Sequence, residues 1–560
     1  MNEISPVSPM EAVSGAALMA SCAVFAERVK LSGSANELAS LQTIKAALDL
    51  DGYRTTLLSH PAYISLPGTA LVDIDGQTVL AITHSFSLPS PASGLTAEIV
   101  YLGEGRPADF AGRDLHGRTV LVEGIANPAV AALARAAGAA GQLHISPHEH
   151  LHEMCISPVW GSPGVGERAA MPATITCTIS QADGAALRDR IAQGETPVVT
   201  LHAEVDTGWR ETPILVAEME ALSDNLVLSD AADDSFVLFS GHHDTWYFGV
   251  MDNGSANATM MEYAWVLASR RAAWKRGLRL CFWSGHSHGR YSGSAWYVDN
   301  HWDELERRCA VHVNIDSTGA VGATVLTESA AAAELTPLAA TVIHQETGAV
   351  HGGRRPDRNS DMSFWGIGIP SLFGSLSTQP PSPAKLSNAL GWWWHTPHDL
   401  LDKIDEANLV RDTRIFTDAL WQLLTNPVLP LDYTAHADAL LAELATIETS
   451  LNGALSLQPL IQAATALRAA VSTLRASDRD PASKNQLLMK LSRALVPAGY
   501  TLGDRFRHDP ALPQSPWPVL DPIRALASAD PTLRPFALVD ATRARNRMLH
   551  ALAEANAVLA

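Results

Sequence analysis

The stretch FVLFSGHHDTWYFGVMDN, residues 236–253, decides the fold. Its first six residues are a nearly continuous apolar run, and a strand apolar on both faces belongs in a parallel sheet covered by helices. The run stops at His242, His243 and Asp244, with Asp252 shortly after. LRLCFWSGH (278–286) and AVHVNIDS (310–317) repeat the pattern, an apolar strand that ends in polar residues. NATMMEYAWVLASRRAAWK (257–275) lies between them and reads as an amphipathic helix. Strand–helix alternation of this kind predicts an α/β fold with a mostly parallel sheet and function at the carboxyl ends of its strands.

Working outward, residues 1–58 read as a helical start and a strand, RTTLLSHPAYISL. From about 59 to 209, short alternating strands (TALVDID, TVLAITH, AEIVYLG, TVLVEGI) are broken by Pro, Gly and Ser, with an Ala-rich helix at 128–140. That texture predicts a β-rich insert with one helical layer. Beyond about 430 strands give way to helical spacing, in ADALLAELATIETSL, LQPLIQAATALRAAVSTLR and ALVDATRARNRMLHALAEANAVLA. The expected division is therefore 1–58 with 210–430, an insert at 59–209, and a helical domain at 431–560.

Composition narrows the function classes. At 560 residues with 47% apolar content, the chain has material for two to four packed domains. Forty Lys and Arg against 59 Asp and Glu give −19, which argues against nucleic acid or an anionic membrane as partner. Five scattered cysteines without a CxxC pair suit free thiols in a reducing compartment, so a cytoplasmic location is expected. The Ala-rich run 10–25 carries Glu11 and no basic lead-in, and reads as an amphipathic helix rather than a targeting signal.

The chemistry-bearing residues cluster after the strands: His242, His243 and Asp244 with Asp252; His286, Ser287 and His288; Asp316; and His395, His398 and Asp399. His and Asp converging on one sheet edge suit a divalent cation such as zinc. One buried histidine is usually structural; four such clusters in sequence are not so readily dismissed.

These residues carry a resemblance. GHHDTWYFGVMDN, VNIDS and WWWHTPHDLLDKID resemble, in order and approximate spacing, the metal-binding segments of the zinc aminopeptidase and glutamate carboxypeptidase II family. GRTVLVEGI and AAGAAGQLHIS resemble the family's protease-associated (apical) domain, and KNQLLMKLSRALVPAGYTLGDRFRHDP the dimerisation domain shared with the transferrin receptor. The resemblance implies a fold of the zinc-exopeptidase type, one or two divalent ions (zinc first), hydrolysis of an amide or peptide-like bond by water activated at the metal, and a homodimer. It implies that His242, Asp252 and Asp316 hold one ion, that Asp252 bridges to a second, that His395 belongs to the second, and that Asp244 orients His242.

One departure stands out. Where the family has an adjacent Glu-Glu pair, one the base and one a ligand, this chain has His286 and Ser287. Three explanations stay open: His286 acts as base while Ser287 or His288 completes the shell, one metal suffices, or catalysis is lost as in the transferrin receptor. An extended segment would point His286 and His288 to the same side, one as base and one as ligand. GHSHG (285–289) also fits the nucleophile elbow of serine hydrolases, with Ser287 as nucleophile. Arg290 is the expected anchor for a small anionic substrate, with Trp394 and Ser287 lining the site, whereas Arg354, Arg355 and Arg358 read as a solvated loop. Residues 359–361 resemble a substrate loop of the family out of register.

Overall fold

A computed structural model describes residues 8–222, 235–382 and 389–560. Its strands are Arg54–Ile74 (β1), Gln77–Thr83 (β2), Leu95–Tyr101 (β3), Thr119–Glu123 (β4), Gly141–Ile145 (β5) and Ile175–Ile179 (β6). Val198–Met219 (β7), Phe236–His242 (β8), Gly277–Trp283 (β9), Cys309–Asp316 (β10) and Ser371–Ser375 (β11) complete them. They form one sheet in the order β1-β2-β6-β5-β4-β3-β7-β9-β8-β10-β11, with β1 also paired to β7. The expected parallel core is present: β9, β8, β10 and β11 run parallel, and β8 and β9 are buried along their whole length.

Two long strands join the halves. β1 and β7 pair antiparallel from Arg54 opposite Glu218 to Ile74 opposite Val199, with a register shift between Pro67 and Ala70. Positions 58/59 and 209/210, where the sequence suggests domain limits, lie inside this ribbon, and the chain does not leave the sheet there. Strand alternation lets β7 face two cores at once: Leu215 and Ala217 pack into one cluster, Ile214 and Val216 into the other. At its far end Val199, Leu201 and Ala203 join a separate core with Val72, Leu121, Leu143 and Cys177.

The helices follow their caps. Gly15–Phe25 starts later than the 10–25 run suggests, because the Ser14 side chain accepts from Ala17 N, and it buries Leu18, Cys22 and Phe25. Pro128–Ala136 is shorter than expected: Gly138, at φ 75°, takes the left-handed conformation that stops a helix. Tyr433–Leu451, Gln458–Ala476, Pro481–Tyr500 and Arg534–Leu559 close the chain, with no strand among the described residues past 430. All five cysteines are free and buried. No described helix is long and apolar enough to cross a membrane.

Candidate metal centre

Each motif arrives at the same edge of the sheet. His242 ends β8 and Asp316 ends β10, its parallel neighbour. The loop after β8 returns Asp252 to them, and Asn253 locks that return: its Nδ2 donates to the carbonyls of His242 (3.2 Å) and Ile315 (3.4 Å), and its Oδ1 accepts from Ser317 N (2.9 Å). Asp399 accepts from the amides of Met251 (2.8 Å) and Asp252 (3.0 Å), pinning the loop to the segment that carries His395. Burial pushes the Asp399 carboxyl up to about 7.

His242 Nε2 lies 3.1 Å from Asp252 Oδ1 and 3.7 Å from Asp316 Oδ1, and His395 Nε2 lies 3.0 Å from Asp252 Oδ2. One carboxylate thus sits between two imidazoles. Both histidines turn their other nitrogen to a carbonyl: His242 Nδ1 donates to Asp244 O (2.8 Å), His395 Nδ1 to Glu153 O (2.7 Å). That fixes both tautomers with Nε2 toward the carboxylates, the arrangement of metal-ligating histidines. Among the described residues His242 Nε2 and Asp252 Oδ1 are buried without a hydrogen-bond partner, and their separation suits two ligands of one zinc at about 2.0–2.2 Å each. The donor set fits a divalent cation. Burial would depress the His242 imidazole, but Asp252 and Asp316 outweigh it and hold it well above its usual range. Burial would likewise raise Asp252, but the imidazoles of His242 and His395 beside it hold it far below.

The segment 284–291 is a turn, not a strand, so strict alternation of His286 and His288 does not apply. His286 stacks on His242 (centroids 3.7 Å, 14°) and can share one cation with His242 and Asp316. Its Nδ1 donates to Asp361 Oδ2 (2.8 Å), leaving the Nε2 lone pair free. His288, expected to face the metals as a ligand, lies outside that group, as do Asp252 and His395. Its ring lies against Trp246 (4.3 Å), and its Nδ1 pairs with Ser32 Oγ (2.9 Å), which donates to Asp244 Oδ2 (2.6 Å). His288 Nε2 is buried and unpartnered.

Other expectations are corrected. Asp244 orients His242 through its carbonyl; its carboxylate lies 3.7 Å away and instead accepts from the amides of His286 (3.3 Å) and Ser287 (2.9 Å). It therefore shapes the turn. Ser287 Oγ is buried and has no hydrogen-bond partner among the described residues, so no serine–histidine pair forms among them and the elbow reading has no proton acceptor there. Arg290, the expected substrate anchor, donates to the carbonyls of Cys155 and Ala511 (3.5 Å each), which ties it to the insert and the C-terminal region. Arg358 is buried rather than solvated, with its guanidinium 3.7 Å from the Trp160 ring centre. Trp394 stacks on His395 (3.5 Å).

Sequence reasoning missed several supporting groups. Asp361, fully buried, also accepts from Ser294 Oγ (2.8 Å), and Ser360 Oγ donates to Asp316 Oδ2 (3.1 Å). Their signal was present as residues 359–361, read as a substrate loop out of register. Ser32 and Glu153 reach the centre from segments with no motif of their own.

Residues 226–420 match the sequence profile of Peptidase family M28. Among curated proteins, the chain is 23% identical over 238 residues to the probable glutamate carboxypeptidase VP8 of Zea mays, covering 38% of this chain and 32% of that protein. It is 22% identical over 484 residues to the probable glutamate carboxypeptidase AMP1 of Arabidopsis thaliana, covering 73% and 66%. Each match spans less than two thirds of the plant protein. An aminopeptidase from Aneurinibacillus sp. strain AM-1 superposes with a TM-score of 0.55 at 21% identity, over 74% of this chain and 95% of that one. A Peptidase M28 precursor from Shewanella amazonensis gives 0.59 at 18%, over 75% and 96%. At these identities the structural likeness establishes the fold.

Proposed function

Proceeding from a peptidase family M28 domain in residues 226–420, we propose that this chain is a metal-dependent hydrolase of an amide or peptide-like bond in a small substrate. The observation that carries the reading is Asp252 between His242 and His395, with His242 Nε2 and Asp252 Oδ1 buried and unpartnered. Zinc suits the donor set, on His242, Asp252 and Asp316 and on Asp252 with His395. A divalent cation there supplies Lewis acidity toward a carbonyl and acidifies water near neutral pH.

The chain's own residues do the rest. His286 takes the proton, its Nε2 lone pair beside the centre and its Nδ1–H held by Asp361. Such a histidine–carboxylate pair fixes the tautomer in the way known from catalytic triads. Two neutral groups, His286 and Ser287, stand where the resembling family has two carboxylates. The centre is correspondingly less negative, which favours an anionic substrate. The β-rich insert acts as an apical domain beside the centre, and the helical end pairs two subunits.

Elemental analysis and a substrate panel test this. The purified protein should carry at least one zinc per chain and hydrolyse short acidic peptides or N-acyl amino acids, with chelation abolishing turnover. A chain that purifies without metal, binds none on titration and hydrolyses nothing in the panel would sink the proposal and favour a binding protein. His286→Ala should keep its metal and lose turnover by ~10²–10⁴-fold, the range for a general base. Loss of an ion along with turnover would make His286 a ligand instead.

A further inference from the structure

His395 stands in the left-handed region at φ 58°, a backbone conformation that non-glycine residues hold only where their surroundings enforce it. The surroundings come from the insert. His395 Nδ1 donates to the carbonyl of Glu153 (2.7 Å), and Glu153 N donates back to the carbonyl of His395 (3.1 Å). The Glu153 side chain accepts from Tyr247 OH (2.8 Å), in the loop between His242 and Asp252. One insert residue therefore grips both loops that carry metal ligands.

A chain of neutral imidazoles holds that residue in place. His150 N donates to His148 Nδ1 (3.1 Å), so the proton of His148 sits on Nε2. From there it points at His152 Nε2 (3.1 Å). His152 in turn donates its Nδ1–H to the carbonyl of Trp394, the residue that stacks on His395. Every donor has one acceptor, and the direction runs from the insert to the ligand. With its Nδ1 accepting, His148 has no Nε2 lone pair to give a cation.

We propose that His152 and Glu153 of the insert are positioning residues for His395, so that the cation site on Asp252 and His395 forms only with the insert seated. The inference rests on the metal-centre reading above. It adds that the insert carries part of the shell outside the ligands, where loss of a partner typically weakens metal binding by ~10–100-fold.

The test is zinc stoichiometry and affinity, measured by chelator competition on the full chain, with His152 changed to Ala, Asn and Gln. Asn presents a side-chain N–H near the place of the imidazole Nδ1, whereas Gln presents it a bond further out. His152→Ala and His152→Gln should weaken one zinc by ~10–100-fold and leave the other at wild-type affinity. His152→Asn should recover most of the loss, which a role in packing alone would not produce. Equal losses in all three variants, or wild-type affinity in all three, overturn the inference while leaving the metal centre standing. So does a wild type with one zinc that ignores His152→Ala. A wild type that binds no zinc takes down both. Should His152→Ala fail to fold, His148→Ala removes the donor to His152 together with the acceptor of His150 N, and must shift the same zinc in the same direction.

Discussion

Asp252 faces His242 with one oxygen and His395 with the other, at 3.1 and 3.0 Å. Removing it leaves two buried imidazoles without the anion that lies between them. Asp252→Ala should therefore empty the whole centre, checked by metal content per chain; retention of full metal refutes the assignment. Asp361→Ala is subtler, since it frees His286 Nδ1 and Ser294 Oγ together but touches no ligand. Turnover should fall by ~10–100-fold with metal unchanged, and an unaltered rate means that the tautomer of His286 is set elsewhere. His242, Asp252, Asp316 and His395 were legible because each ends a strand or sits in a motif with known order. Asp361 was visible only as part of a loop out of register, and Ser32 and Glu153 not at all, because tertiary folding alone brings these three to His286, Asp244 and His395 across 75, 212 and 242 residues.

The insert's strands carry a feature that periodicity cannot show: buried histidines. His84 and His144 are fully buried in adjoining strand and loop, with rings 6.5 Å apart. Burial depresses both, His144 to about 4 and His84 well below its ordinary 6.5. The unfolded chain takes up protons on these side chains as pH falls through 6.5, and the folded insert does not. Stability is thus full above that value and is lost between 6.5 and about 4, where His144 protonates in the folded state as well. Thermal unfolding should show a melting temperature that drops from about pH 7.5 to about pH 5, and a shallower drop in His144→Gln. Parallel slopes would mean that acid acts through other groups, of which buried His60 and His312 are the first to examine. At this scale the strands were well read from alternation and apolar runs. Their length was not: Pro67 and Gly68 look like a stop in sequence, yet β1 absorbs them at its register shift and runs on to Ile74.

Among the described residues of the whole molecule, the last helix presents an apolar surface that its own packing does not cover. The helix Arg534–Leu559 buries Met548, Leu552 and Ala555 toward its C-terminal end, but its first two turns expose Phe536 (71%), Val539 (48%) and Leu538 (39%). Leu533, just before it, is 59% exposed. Large apolar side chains so concentrated on one end of a helix mark an interaction site rather than ordinary surface. A symmetric pairing of two copies would cover the same patch on both, and a stable dimer needs about 800 Å² from each partner. In such a pairing the patch would be the centre of a larger contact and not the whole of it. Light scattering at about 10 μM should give twice the mass of the chain, and Phe536→Glu with Val539→Glu should give a monomer of unchanged metal content, since neither residue approaches the centre. The net charge of −19 sets the sign of the salt response. Two such chains repel, salt screens the repulsion, and apolar contact is not weakened by it, so the dimer should tighten as ionic strength rises. A monomer at every salt concentration refutes the pairing, and a dimer that loosens with salt places the contact on charged groups instead.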